Sequence, residues 1–220
     1  MSRIFCRLIL VSLVMLITAC ASNKGYDYSA FIQNKPRSIL VLPPLNTSPD
    51  VRAPYSMMAT VTRPLAESGY YVFPVALVDQ TFRENGMSEP GEMHQASAAK
   101  LSEVFGADAV LYITVNEYGA KYVLVDSQVV VSASARLVDL RSGQQLWEGK
   151  ASASNAEGRD SGGTGLAGIL ITALIRQVAN NLGDQGYPIA RITSDRLLSA
   201  RHGGLLPGPR SPDYQKVVGN

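Results

Sequence analysis

Cysteine and histidine are scarce in this 220-residue chain, which has two residues of each type. Two cysteines cannot build the network of disulfides that holds small secreted domains together. The histidines, His94 and His202, lie far apart, and no cluster of cysteines or carboxylates accompanies them at metal-ligand spacing. The sequence therefore predicts no metal site and no cofactor, and it predicts that both histidines are surface residues.

An excess of positive charge is also missing from most of the chain. Two of the 20 basic residues, Arg3 and Arg7, precede a strongly apolar run, and the chain from Cys20 onward holds 18 basic and 18 acidic residues. Binding to nucleic acid needs a clustered excess of lysine and arginine. A mature chain that begins at Cys20 would be neutral, so no nucleic-acid partner is predicted.

The first 19 residues have the pattern of a signal peptide. Arg3 and Arg7 form a positive region, and the apolar run at residues 8–17 is too short for a membrane span, which needs roughly 20 residues. Residues 17–20, Ile-Thr-Ala-Cys, resemble the bacterial lipobox, in which an aliphatic residue and two small residues precede a cysteine. We therefore expect cleavage after Ala19, which would make Cys20 the first residue of the mature protein.

Cys20 is the residue for which the sequence predicts a specific chemistry. A thiolate is a strong nucleophile and can take a diacylglyceryl group as a thioether, after which the new amine can be acylated, for example by palmitate. Two or more acyl chains give stable anchoring to a membrane. The alternatives are a disulfide with Cys6, which would leave with the signal peptide, or a buried thiol.

The predicted location follows from the residue after the cysteine. In many lipoproteins an aspartate at that position retains the protein in the inner membrane, whereas this chain has Ala21. We expect an outer-membrane anchor with the body of the protein in the periplasm, and exposure on the cell surface stays open.

The mature chain divides into three predicted parts. Residues 20–36 would be the acylated cysteine and a tether, residues 37–202 an α/β domain, and residues 203–220 an extended tail rich in proline and glycine. Tyr26, Tyr28 and Phe31 are more aromatic than a linker needs, which predicts that they pack on the body.

The first half of the domain alternates between strand and helix patterns. Apolar runs predict strands at residues 38–44, 70–73 and 109–118, and amphipathic patterns predict helices at 53–68, 75–84 and 92–105. Pro64 is expected to kink the first of these helices, and Gly69 to end it. Such a βαβ opening indicates a layered α/β fold.

The second half predicts an antiparallel hairpin followed by helices. Residues 129–139 alternate apolar and polar side chains, residues 141–143 form a turn, and Trp147 begins one face of the returning strand. A loop at 157–165 precedes an apolar helix at 166–182, whose character predicts burial on several sides or an oligomer contact, and a last helix is predicted at 187–200. Together the two halves predict a single α/β domain with a mixed sheet packed with helices.

Two patterns could indicate catalysis or phosphate binding. Ser97 and Lys100 match the S-x-x-K pattern of serine acyl-enzymes, in which a helix brings the lysine amine to the serine. The chain lacks the K-T-G and S-D-N motifs that accompany it, so an ordinary helix surface is the favoured interpretation. The glycine-rich loop at 157–165 lacks the Lys-Ser/Thr of a P-loop. We therefore predict that the protein is not an enzyme.

Residues 135–151 resemble a hairpin found in the curli-secretion lipoprotein CsgG, the penicillin-binding-protein activator LpoB and the N-terminal domain of TolB. Residues 64–87 and 204–214 resemble a family of bacterial lipoproteins of unknown function that includes a neisserial antigen. The resemblance implies a fold like the TolB N-terminal domain and transfers no catalytic residue.

The resemblance also frames the predicted function. It implies a non-catalytic binding or assembly factor for envelope complexes, with other lipoproteins, such as a CsgG-like one, as partners and with homo-oligomers as an open alternative. An activator of cell-wall synthesis similar to LpoB is the second hypothesis. An acyl-enzyme using Ser97 and Lys100 and a pore similar to CsgG are the less favoured ones.

Overall fold

The computed structural model describes residues 26–123, 126–157, 184–200 and 204–218. The predicted signal peptide, Cys6, Cys20, His202, most of the glycine-rich loop and the predicted helix at 166–182 lie outside these residues. The helices are α1 Ser29–Asn34, α2 Ala53–Glu67, α3 Val75–Glu84, α4 Pro90–Met93, α5 Ala98–Phe105, α6 Gly186–Leu198 and α7 Tyr214–Val218. The strands are β1 Ser38–Val41, β2 Leu45–Asn46, β3 Tyr71–Val72, β4 Ala109–Val123, β5 Asp126–Asp139 and β6 Gln145–Ser154.

The strands form one mixed sheet in the order β3-β1-β4-β5-β6, with β2 paired beside β4. Strand β1 runs parallel to β3 and β4, as helical crossovers require, whereas β4, β5 and β6 form an antiparallel meander. The predicted α/β fold with a βαβ opening and a C-terminal hairpin is confirmed.

Each face of the sheet has its own apolar core. Helices α2 and α6 cover one face, where the larger core includes Met57, Leu137 and Trp147. Helices α3 to α5 cover the other face over β1 and the first half of β4, where Leu40 and Phe82 belong to the second core. The part of this second face that lies over β5 and β6 carries mainly polar side chains, and it is the setting of the candidate site.

The hairpin of β5 and β6 follows the predicted alternation. The apolar odd-numbered residues of β5 face the larger core, and Arg136 on the opposite face is exposed. Gly143 takes a φ of 71° in the turn, which favours glycine. Burial alone would raise the pKa of Asp139, but hydrogen bonds from Ser142 and Arg141 lower it below the usual value, and they fix the start of the turn.

A β-bulge in β4 changes which face of the sheet the following side chains point to. The pairing with β5 shifts between Val115 and Glu117, so Tyr118 points into the larger core like Val115. The Tyr118 hydroxyl donates to the Asp184 carboxylate at 2.5 Å and lies 2.8 Å from the Ser56 hydroxyl. The strand predicted at residues 109–118 is longer in the structure, because β4 continues past this bulge to Val123.

The helix predicted at residues 92–105 is wrong, because the structure has two short helices, α4 and α5, in this region. The break has a local cause. Ser97 is in an extended conformation and its hydroxyl accepts a hydrogen bond from the Lys100 backbone N–H at 3.2 Å, so Ser97 is the N-cap of α5.

The structure differs from the predicted parts at both ends of the domain. The segment predicted as a tether contains α1, where Phe31 is 2% exposed and packs against Tyr28 and Tyr70. Aromatic side chains gain enough from burial to order this segment. The folded body therefore begins before α1 rather than after Pro36, since Tyr26 also packs against Tyr28.

Residues 204–211 of the predicted tail pack on the body, and α7 follows them. The Gly208 N–H donates to the Ser68 carbonyl at 2.7 Å, and the Arg210 N–H donates to the Gly69 carbonyl at 3.2 Å. Leu205 is 1% exposed within the larger core. We call residues 204–211 the C-terminal clasp, because they close over the end of α2.

Candidate functional site

A cavity of about 560 Å³ lies on the open part of the second sheet face. We call it the polar groove. Its walls come from strands β2, β4, β5 and β6 and from the turn after α4. Tyr26, which lies shortly before α1, also contributes. The side chains that line the groove include Tyr26, His94, Tyr112, Thr114, Ser134, Arg136, Glu148 and Lys150.

An arginine stacked on a tyrosine forms the floor of the polar groove. The guanidinium carbon of Arg136 lies 3.9 Å from the centroid of the Tyr112 ring, a cation–π arrangement. Tyr112 is 8% exposed, and burial raises the pKa of its phenol, an effect that the nearby charge of Arg136 partly offsets. Stacking on a buried ring fixes the plane of the guanidinium and leaves its N–H groups available to a ligand.

His94 contacts the Tyr112 ring on which Arg136 stacks. Its ring meets the Tyr112 ring edge to face at a centroid distance of 5.2 Å, and its Nε2 lies 2.9 Å from the Pro43 carbonyl. Because the carbonyl accepts, Nε2 carries the proton. Burial is the main cause that lowers the pKa of His94, the charge of Arg136 lowers it further, and the hydrogen bond to Pro43 acts in the opposite direction. His94 is half-buried, because its ring lines the open groove and is partly covered by its neighbours.

The charges of the polar groove are unbalanced. Arg136 and Lys150 are exposed cations, and no carboxylate of the described residues lies within 4.0 Å of either. Glu148 stands opposite Arg136 in the β5–β6 register, but its carboxylate accepts a hydrogen bond from Gln145 Nε2 at 3.1 Å. The arrangement can attract and orient an anion. Among the described residues, the groove hydroxyl of Ser134 contacts the Asn116 amide and His94 Nε2 contacts the Pro43 carbonyl, so neither forms a nucleophile–base pair with the other.

The candidate acyl-enzyme pair is not assembled. The Ser97 hydroxyl is engaged as the N-cap of α5, and the Lys100 ammonium pairs with Glu103 at 3.1 Å on an exposed surface. A serine needs a base beside its hydroxyl to become a nucleophile, and Lys100 does not provide one. Within the described residues no group of three or more potential metal ligands comes together.

The polar groove was missed by the sequence reasoning, although one signal pointed to it. The alternation in β5 predicts that Arg136 and Ser134 share a solvated face. The partners of Arg136 come from distant parts of the chain, since Tyr112 belongs to β4 and His94 follows α4. No local pattern predicts their meeting.

A sequence profile described as "Putative lipoprotein GNA1162-like" matches residues 26–210, which include the whole polar groove. The chain belongs to the GNA1162-like lipoprotein family. This membership confirms the resemblance found at residues 64–87 and 204–214.

Two further comparisons support the assignment to the GNA1162-like family. The protein named Putative lipoprotein NMB1124/NMB1162 of Neisseria meningitidis is 47% identical over 205 residues, which cover 92% of this chain and 94% of that protein. The crystal structure of lipoprotein GNA1162 from the same species is 51% identical and has a TM-score of 0.53, with 66% of this chain and 100% of that chain covered.

A more distant likeness joins this GNA1162-like chain to the LpoB C-terminal domain from Salmonella enterica. The identity is 18% and the TM-score 0.40, with 54% of this chain and 82% of that chain covered. A likeness at this level supports no inference about function. Among the described residues, none of the helices has the length and apolar character needed to cross a membrane.

Proposed function

We propose that this protein is a lipid-anchored envelope lipoprotein that binds other envelope proteins and carries out no catalysis itself. Cys20 is the proposed attachment site of the lipid, with the anchor in the outer membrane and the body in the periplasm. The lipobox-like residues 17–20 and the lipoprotein names of the family and its neisserial relative support this proposal.

The polar groove is the observation on which the binding function rests. It is an open site with an oriented cation, Arg136, that has no acidic partner among the described residues, and such a charge is favourable when a ligand supplies the anion. The potential catalytic pair, Ser97 and Lys100, is engaged in other contacts. These features fit recognition better than chemistry.

The position of α1 limits where the partner can be. Eight residues separate Cys20 from Ser29, and a fully extended chain of that length spans at most about 29 Å. The body would therefore stay close to the membrane that holds the lipid. Partners would be membrane proteins or other lipoproteins rather than distant periplasmic proteins.

Site-specific crosslinking in intact envelopes tests the proposal. A photoreactive amino acid at Ser134, inside the polar groove, should give discrete crosslinked products with envelope proteins. The same amino acid at Arg191, an exposed residue on α6, is the matched control and should not give those products. Products that are identical at both positions, or absent at Ser134, would contradict a binding role for this face.

Protein purified from the same crosslinked envelopes tests the lipid anchor and identifies the partner. Mass spectrometry should find Cys20 at the N-terminus with thioether-linked and amide-linked acyl chains, and an unmodified N-terminal peptide would contradict the anchor. The hairpin resemblance suggests a CsgG-like lipoprotein among the crosslinked proteins. A penicillin-binding protein in its place would favour the activator hypothesis.

A further inference from the structure

The two free cations of the polar groove have a defined spacing. In the β5–β6 ladder the backbone position of Arg136 lies opposite that of Glu148, and Lys150 is two residues further along β6. Arg136 and Lys150 are thus diagonal neighbours on one face of the sheet, and such neighbours lie about 7–8 Å apart. The side chains of the two cations therefore leave the exposed face of the sheet from backbone positions at this interval.

An extended peptide presents its side chains at a similar interval. Alternate residues of a β-strand point to the same side, and two residues of rise amount to about 6.6 Å. Carboxylates at positions i and i+2 of an extended segment can therefore reach both cations together. Adjacent carboxylates cannot, because they point to opposite sides of the strand.

We propose that the polar groove binds an extended acidic segment of a partner protein, with carboxylates at alternate positions contacting Arg136 and Lys150. The proposal rests on the proposed binding function and names the chemistry of the partner. The hydroxyls of Thr114 and Ser134 line the same cavity, and Ser134, which lies opposite Lys150 in the β5–β6 register, also contacts the Asn116 amide. The segment lies across the face of the sheet.

The edge of β6 is a poorer place for the same segment. Arg196 donates to the Ser152 carbonyl at 2.7 Å, and the Glu157 carboxylate accepts from the Ser154 N–H at 3.0 Å. Because these two backbone groups are already bonded, the 152–154 end of this edge offers an added strand fewer partners. Charge and geometry therefore favour the face over the edge.

Fluorescence anisotropy with a labelled peptide tests the proposal on the full-length, detergent-solubilised lipoprotein. The probe is a peptide in which threonine and glutamate alternate, and a second peptide of the same composition carries its glutamates in adjacent pairs. The alternating peptide should bind more tightly, and its affinity should fall as ionic strength rises. Equal affinity for the two peptides would overturn the proposed spacing.

Charge variants separate the polar groove from general electrostatic attraction. Arg136→Gln and Lys150→Gln should each weaken binding by about tenfold, since each removes a charge-assisted contact. Arg191→Gln removes the same charge from the opposite side of the sheet and should leave the affinity unchanged. Glu148→Gln removes the acidic residue of the groove and should tighten binding, a gain that damaged folding could not produce.

Two outcomes would overturn the proposal while leaving the proposed function in place. One is partner crosslinking at Ser134 that persists in the Arg136→Gln/Lys150→Gln variant. The other is binding of a labelled oligogalacturonate, an acidic oligosaccharide, by a protein that does not bind the alternating peptide. Absence of crosslinking at Ser134 in the protein that keeps Arg136 and Lys150 would instead contradict the binding function itself.

Discussion

Gly69 and Gly208 pack backbone to backbone where the C-terminal clasp crosses the end of α2. A Cβ atom on Gly208 would lie 2.8 Å from the Gly69 carbonyl carbon, and one on Gly69 would lie 2.4 Å from the Ser211 nitrogen. Gly69 also has a φ of 95°, which only glycine adopts readily. This contact joins the clasp to the domain, so deletion of residues 203–220 would damage the fold as well as any docking role.

Gly208→Ala should therefore destabilise the protein. The added methyl group meets backbone that cannot move freely, and overpacking of this kind costs about 1–3 kcal/mol. Urea unfolding followed by circular dichroism measures the change. Gly91→Ala is the control, because a Cβ at Gly91 meets nothing within 4 Å and its stability should stay the same or rise slightly.

Ser97→Ala should lower stability by about 1 kcal/mol through the loss of the α5 N-cap. Ser97→Asp should restore most of this loss, because a carboxylate also accepts from the N–H groups of the first turn. Urea unfolding of the three proteins gives the comparison. Labelling of the wild-type protein by a penicillin-type acylating probe, absent in Ser97→Ala, would show that the hydroxyl is a nucleophile and would contradict the capping role.

Gly149→Ala should displace the single tryptophan of the chain. A Cβ at Gly149 would lie 2.3 Å from Cζ2 of Trp147, whose side chain is 2% exposed in the larger core. We expect tryptophan emission to shift to longer wavelength as the indole gains solvent. Gly143→Ala adds a methyl group in open space at a positive φ, so it should lower stability without moving the emission maximum. An unshifted spectrum for Gly149→Ala would contradict the close packing of the indole.

His94 should make the protein less stable in mild acid. Its pKa is lowered in the folded state from an ordinary value of about 6.5, so the unfolded chain binds more protons between the two values. The stability that the neutral ring confers is complete above the unfolded pKa and declines as the pH falls through the folded pKa. Unfolding free energies at pH 7.5 and 5.5 should therefore differ less for His94→Gln than for the wild-type protein. Equal differences would show that His94 does not titrate in this way.

Regular parts of the fold could be predicted because they depend on local patterns. The alternation of β5, the turn at Gly143 and the bounds of α3 follow from side-chain periodicity and turn chemistry. The break between α4 and α5 was missed, although the serine that causes it was visible in the sequence. The same serine satisfied an enzyme motif, and periodicity alone could not distinguish an N-cap from a nucleophile.

The polar groove could not be predicted, because it depends on contacts between residues that are distant in the sequence. Alternation placed Arg136 on a solvated face, but its position above Tyr112 and near His94 depends on the pairing of β4 with β5 and on the turn after α4. The same is true of Tyr118, whose facing depends on a bulge between Val115 and Glu117. In the sequence this bulge shows only as two consecutive polar residues, Asn116 and Glu117, before Tyr118.

The sequence by itself determined the α/β class, the hairpin and the family, because each depends on residues close together in the chain or on motifs held in order. It also defines the lipobox-like residues around Cys20, whose chemistry remains a prediction. Only the tertiary structure decided which residues form the groove, how the clasp closes on Gly69, and where the folded body begins. These features arise from contacts between residues separated by many positions, which packing selects and local propensity does not specify.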